Sequence, residues 1–134
     1  MSMKPETAEW VVKAEADLAT ARREAGVIES ANYDAVCFHC QQCSEKYLKA
    51  ILIEYAVKVP RIHDLEMLVN EVMILNAGIT VVLKHARILS AMAVEVRYPG
   101  MTADEEDAHE ALCSAHAIRE ISREILEIIN GAEL

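Results

Sequence analysis

The chain has 134 residues, enough for one domain at roughly 100–200 residues per domain. Hydrophobic residues make up 53% and charged residues 26%, while Gly (4) and Pro (3) are scarce, so the composition allows a buried core and disfavours a many-turned sheet. A net charge of −9 gives a field that repels nucleic-acid backbones, so nucleic acid is not the expected partner.

The first predicted helix covers about residues 5–28. Pro5 suits a first helical turn, where its missing N–H costs nothing. Trp10, Ala14, Leu18, Ala21, Ala25 and Ile28 recur at spacings of 4 and 3, the mark of one buried stripe. Ser30-Ala31-Asn32 breaks it. The second helix covers about residues 33–55, with Val36, Cys40, Cys43, Tyr47, Leu48, Ile51, Leu52 and Tyr55 inward. Residues 57–59 run extended into Pro60, as pre-proline residues prefer.

A shorter helix is expected over residues 64–75, with Leu65, Leu68, Val69 and Val72 inward and Asp64 near its N-cap. Asn76-Ala77-Gly78 is a stop signal. Residues 79–96 are apolar enough for a mostly buried helix, since one isolated strand would have no partner. Arg97-Tyr98-Pro99-Gly100 ends it. Thr102-Ala103-Asp104-Glu105 reads as a capping box for a last helix to about residue 129, closed by Gly131. Its inward positions are Ala108, Leu112, Ala115, Ile118, Ile121 and Ile125. The expected architecture is all-α: an up-and-down bundle of about four long helices plus one shorter helix, a single domain over residues 1–134 with its core at about 5–130.

The longest uncharged stretch, residues 72–83, has 12 residues, and a membrane span needs about 20. The first ten residues lack the apolar segment of a secretory signal, which makes the cytoplasm the expected compartment and keeps the four cysteines reduced. No Gly-rich phosphate loop, HExxH or GxSxG occurs.

Acid is concentrated in the second half: residues 1–64 carry 8 basic and 10 acidic side chains, residues 65–134 carry 5 and 12. A phosphate ligand would therefore need a local basic pocket drawn mainly from the first half. Cys37, Cys40 and Cys43 form C-x-x-C-x-x-C, but mid-helix and without a knuckle, so core packing is expected rather than a metal site. Glu106-x-x-His109 has no second copy, so the di-iron arrangement is not expected and the acidic run reads as helix-start electrostatics.

The most informative segment is FHCQQCSEKYLKA at residues 38–50. His39, Gln42, Lys46 and Lys49 fall within roughly an 80° arc of a helix. Two amines, an amide and an imidazole on one stripe could hold a phosphate. By spacing alone the stripe reads first as a solvated flank, with Glu45 and Lys49 as an i,i+4 pair of the kind common on helix surfaces.

The same segment resembles the F-x-x-Q-Q-x-x-E-K-x-L-K-A stretch of HEPN domains (higher eukaryotes and prokaryotes nucleotide-binding). Ala16-Asp17-Leu18, His63-Asp64-Leu65 and Arg97-Tyr98-Pro99 match three shorter motifs of that family in order, so the resemblance spans about residues 8–128. It implies a small helical homodimer, often paired with a minimal nucleotidyltransferase in toxin–antitoxin-like systems. It also implies a nucleotide ligand, with or without Mg²⁺; taken with the stripe, the candidate residues to meet that ligand or the partner are His39, Gln42, Lys46, Lys49, His63, Asp64, Arg97 and Tyr98, although His63-Asp64 reads first as a helix start and Arg97 could equally complement the dipole at the end of its helix. Ribonuclease members carry Arg, then four to six residues, then His. Here no His occurs at 98–108, and His109 lies 12 positions after Arg97. The non-ribonuclease branch is therefore the expected one. A toxin using Arg97 with a spatially close His, and a ligand-free structural dimer, are the alternatives.

Overall fold

Residues 3–95 and 99–129 are described in the computed structural model. Within them lie five α-helices: α1 (Pro5–Ala25), α2 (Tyr33–Glu54), α3 (Leu65–Leu75), α4 (Leu83–Glu95) and α5 (Glu105–Ile129). A 3₁₀ segment, Ala77–Val82, joins α3 to α4, and no strand occurs among the described residues. The all-α expectation holds, with α1, α2 and α5 long and α3 and α4 short.

The second helix is the axis of the molecule, packed against α1, α3, α4 and α5. Its inward face carries Val36, Cys40, Cys43, Tyr47, Leu48, Ile51 and Leu52, as the 3.6-residue period predicts. Yet Cys37, Ser44, Glu45, Lys49 and Glu54 are buried as well. A helix with neighbours on several sides has no fully solvated flank, so its polar residues must find partners inside the protein.

Against it, α1 lays down Thr7, Val11, Ala14, Leu18 and Ala21. Burying a Leu such as Leu18 contributes about 2 kcal/mol. The start of α1 is tied to the end of α2: the Lys4 backbone N–H and the Thr7 hydroxyl both donate to Glu54 Oε1, at 3.1 and 3.0 Å. The stripe stops sooner than its periodicity suggests. Ala25 is the last helical residue, and Ile28 is 97% exposed rather than inward.

Helix α2 ends in a Schellman motif. Val57 N–H donates to Leu52 O at 2.9 Å and Ala56 N–H to Ile53 O at 2.8 Å. Ala56 sits at φ 64°, a left-handed conformation that glycine would adopt at lower cost.

Residues 79–96 do not form one helix. Asn76 is extended, and its side chain accepts from Gly78 N–H at 2.9 Å while its amide donates to the Tyr55 hydroxyl at 3.1 Å. The β-branched run Ile79-Thr80-Val81-Val82 then winds tightly. A 3₁₀ turn aligns residues three apart, which buries Ile79 and Val82 together and leaves Val81 outside.

The cap of α5 also lies two residues further on than the sequence suggested. Asp104 N–H donates to Asp107 Oδ2 at 3.0 Å, and Asp107 N–H returns to Asp104 Oδ1 at 2.8 Å. This is the reciprocal geometry of a capping box, built by two aspartates in place of Thr102 and Glu105. Its buried face holds Ala108, Ala111, Ala115, Ile118, Ile125 and Leu126, with Leu112 and Ile121 at the margin. No helix among the described residues is long and apolar enough to cross a membrane.

Candidate functional site

Asp17 of α1 is the first organiser of the polar stripe. Its Oδ1 meets His39 Nδ1 at 2.9 Å and its Oδ2 meets Lys46 Nζ at 2.5 Å. His39 and Lys46 thus bind α2 to α1 through one mostly buried carboxylate. Lys49 points inward. Its ammonium lies 3.0 Å from Glu45 Oε2 and 5.8 Å from the centre of the Trp10 ring, a cation–π distance. The i,i+4 pair expected on a solvated flank exists, but it is buried.

The fourth member of the stripe, Gln42, belongs to a different feature. It lines a groove of about 600 Å³ with Phe38, Gln41 and Glu45 of the same helix. Asn32, Asp34 and Ala35, around the start of α2, His63, just before α3, and Ala93 of α4 complete the lining. No lysine or arginine lines it among the described residues. Phe38 is 54% exposed and packs edge-on to His39, with ring centres 5.2 Å apart. Asp34 accepts from Ala103 N–H at 2.7 Å, which ties the loop before α5 to the groove lining.

Glu45 is the unusual element of the wall. It is only 5% exposed. Its Oε2 receives both Lys49 and, at 3.0 Å, His63 Nδ1. Its Oε1 is buried and has no hydrogen-bond partner among the described residues. Leaving a carboxylate oxygen dry and unpaired costs on the order of 1–3 kcal/mol. Among the described residues His63 is held only at that one contact, and its side chain is 79% exposed. Asp64, next to it, accepts from Met67 N–H at 2.9 Å and caps α3, as its position before the apolar run predicts. Arg97 and Tyr98 lie outside the described residues, as do Val96 and Gly131. Ala93, four positions before Arg97, is the nearest groove residue in the chain.

The cysteine cluster lies in the core. Cys37, Cys40 and Cys43 are all buried and Cys113 is exposed. Burial first, then Asp107, Asp34 and Asp104, pushes the Cys37 thiol up to about 11. Burial and the Glu15 and Asp17 carboxylates push Cys43 up to about 12, and Cys40 is raised further by burial and its neighbouring thiols. Such thiols stay protonated and behave as small apolar groups. No group of three or more His, Cys, Asp or Glu among the described residues could hold a metal ion.

Sequence reasoning singled out Gln42 and His63 but did not single out Phe38, Gln41 or Glu45 as site residues. The available signal was their place in the quoted motif, where Glu45 sits three residues after Gln42. Spacing cannot reveal that the groove uses a second face of α2, because that depends on where α3 and α4 pack.

The model of the HEPN domain family matches residues 7–125. The crystal structure of TT1696 from Thermus thermophilus is similar over 92% of this chain and 100% of that one, at 22% identity and a TM-score of 0.76. The crystal structure of ST0689, an archaeal HEPN homologue, is similar over 98% of each chain, at 26% identity and a TM-score of 0.65. No curated protein matches the chain.

Proposed function

The chain belongs to the HEPN domain family, and on that premise we propose that it is a nucleotide-binding and interaction module whose groove beside α2 takes the nucleoside end of its ligand. The observation that carries this is the groove's lining, in which the Gln41 and Gln42 amides and the exposed Phe38 ring stand beside Glu45, whose buried Oε1 has no hydrogen-bond partner among the described residues. A nucleobase or ribose supplies N–H and O–H donors that a small turn of the Glu45 carboxylate would bring within reach of this oxygen. The side-chain amides of Gln41 and Gln42 can read a base edge, and the exposed Phe38 ring offers a face for stacking. Among the described residues no lysine or arginine lines the groove, which favours the base over the phosphates as the part held inside. The phosphates, with Mg²⁺ where it is present, would then project outward. His39, Lys46 and Lys49 support this site by holding α2 in place. Arg97 and Tyr98 follow the groove in sequence and are assigned to the ligand's outer end or to a partner.

In this reading the protein acts as a homodimer beside a minimal nucleotidyltransferase, in a toxin–antitoxin-like pair, and no catalytic residue is assigned to it. Family membership supports the pairing. Its direct check is co-purification with such a nucleotidyltransferase.

The test of the ligand is a thermal-shift panel of nucleosides and nucleoside mono-, di- and triphosphates, with and without Mg²⁺. A ligand at 100 times its dissociation constant adds about 2.7 kcal/mol, which raises the midpoint of a domain this size by roughly 8 °C or more. The expected result is a shift with one nucleotide class that is lost in Gln42→Ala, and that exceeds any shift given by pyrophosphate, which Gln42→Ala should leave unchanged. A flat panel, or a nucleotide shift that Gln42→Ala leaves intact, would overturn the reading.

A further inference from the structure

On the α1–α5 side of the molecule, away from the groove, two arginines converge on one carboxylate and a third arginine faces a histidine. Glu15 of α1 receives Arg119 of α5 in a two-point contact, Nη2 to Oε1 at 2.7 Å and Nε to Oε2 at 2.9 Å. Arg123 Nη1 reaches the same Oε1 at 3.4 Å and the Tyr47 hydroxyl at 3.3 Å. Arg22 of α1 has no carboxylate partner among the described residues. Its Nε and Nη2 instead lie 3.2 and 2.8 Å from His116 Nε2.

We propose that Arg22, His116 and Arg119 form an oxyanion site for a phosphate group, separate from the groove and independent of how the groove is read. A guanidinium facing an imidazole is a pair of donors sharing one weak acceptor. The arrangement is satisfied only while His116 is neutral and offers its Nε2 lone pair. Arg119 is already held in place by Glu15 and keeps N–H groups to spare, because a guanidinium has five donors and the contacts with Glu15 use only part of them. A tetrahedral oxyanion between them would accept from Arg22 and Arg119, and it would turn His116 from a forced acceptor into a donor. Planar forks fixed in this way suit phosphate oxygens better than mobile lysines do.

The charged groups that face His116 are Arg22 and Glu15 from α1 and Arg119 and Glu120 from its own helix. Burial first, then the two arginines, lowers its pKa, while Glu120 and Glu15 act the other way. In the free protein the site is therefore primed with a deprotonated imidazole. A bound anion offsets the two arginines, so binding takes up a proton and strengthens as the pH falls.

The test is an NMR pH titration of the His116 ring signal, assigned by its loss in His116→Gln. It is run at constant ionic strength with chloride replaced by sulfate, which does not itself titrate in this range. Sulfate is expected to raise the His116 pKa and to bind at least about tenfold more tightly near pH 5.5 than near pH 8. In His116→Gln the weaker binding should lose its pH dependence. In Arg22→Gln, whose helical circular dichroism should match wild type because Arg22 is exposed, the sulfate response should disappear. Inorganic phosphate and a nucleoside monophosphate then show whether a free ion suffices or an ester binds more tightly, and both results fit the site. A His116 signal that ignores sulfate, or that responds equally in Arg22→Gln, would overturn the proposal.

Discussion

Replacing Glu45 by Leu leaves the Lys49 ammonium in the protein interior with, among the described residues, the Trp10 ring as its remaining partner. Both members of the ion pair are almost fully buried, with side-chain exposures of 6% and 5%, so solvent screening does little for the survivor. Removing one partner of such a pair costs about 3–5 kcal/mol, mostly as the penalty of the charge left behind. At the lower figure the thermal midpoint of a domain this size falls by roughly 10 °C. The double variant Glu45→Leu/Lys49→Met removes both charges and fills the space with aliphatic groups. It is expected to recover stability to within about 1 kcal/mol of wild type, or to exceed it, since buried pairs often do not outweigh their own desolvation. Urea unfolding followed by circular dichroism measures all three proteins, with slopes of about 1–3 kcal/mol/M. His63 is too exposed to change this account greatly. A double variant as unstable as the single one, or a single variant no less stable than wild type, would refute the reasoning. If the double variant is stable but has lost nucleotide binding, the unpaired oxygen of Glu45 is kept for its ligand and not for the fold.

Three further outcomes follow from particular residues. Ala56→Gly should stabilise the protein by about 1 kcal/mol in the same urea assay, because it relieves a left-handed alanine at the end of α2. A thiol reagent at neutral pH should modify Cys113 quickly and Cys37, Cys40 and Cys43 only on unfolding, when all four react. Stability should fall as the pH drops below the ordinary histidine value of 6.5. Burial and adjacent cations hold the folded-state values of His85 and His116 below it, so the unfolded chain binds more protons in that window. The dependence should flatten in the double variant His85→Gln/His116→Gln, measured by urea midpoints across that range.

Much of the fold was legible because local chemistry and periodicity agree. Pro5 does begin α1, Asp64 does cap α3, and the apolar spacing of α2 predicts its inward face. The misreadings share one cause, which is that packing decides between local options of similar energy. Residues 102–107 hold several polar side chains able to cap, and the two aspartates prevail. The β-branched run at 79–82 satisfies a helical period but winds as 3₁₀, because Asn76 turns toward Tyr55 before it. For the site, spacing grouped His39, Gln42, Lys46 and Lys49 on one arc. It could not show that Asp17 takes two of them, that Glu45 takes a third and that Gln42 alone faces the groove. Those contacts join positions far apart in the chain, and one helix's periodicity carries no record of its neighbours' charges.

The central claim is that the ligand occupies the groove beside α2. Amide chemical-shift mapping with the nucleotide that gives the largest thermal shift tests it most directly. The account predicts that the largest changes cluster at Ala35, Phe38, Gln41, Gln42, Glu45 and His63, and vanish when Glu45→Leu/Lys49→Met replaces the wild type. Changes centred on another face with these residues silent, or no changes at saturating nucleotide, would contradict it.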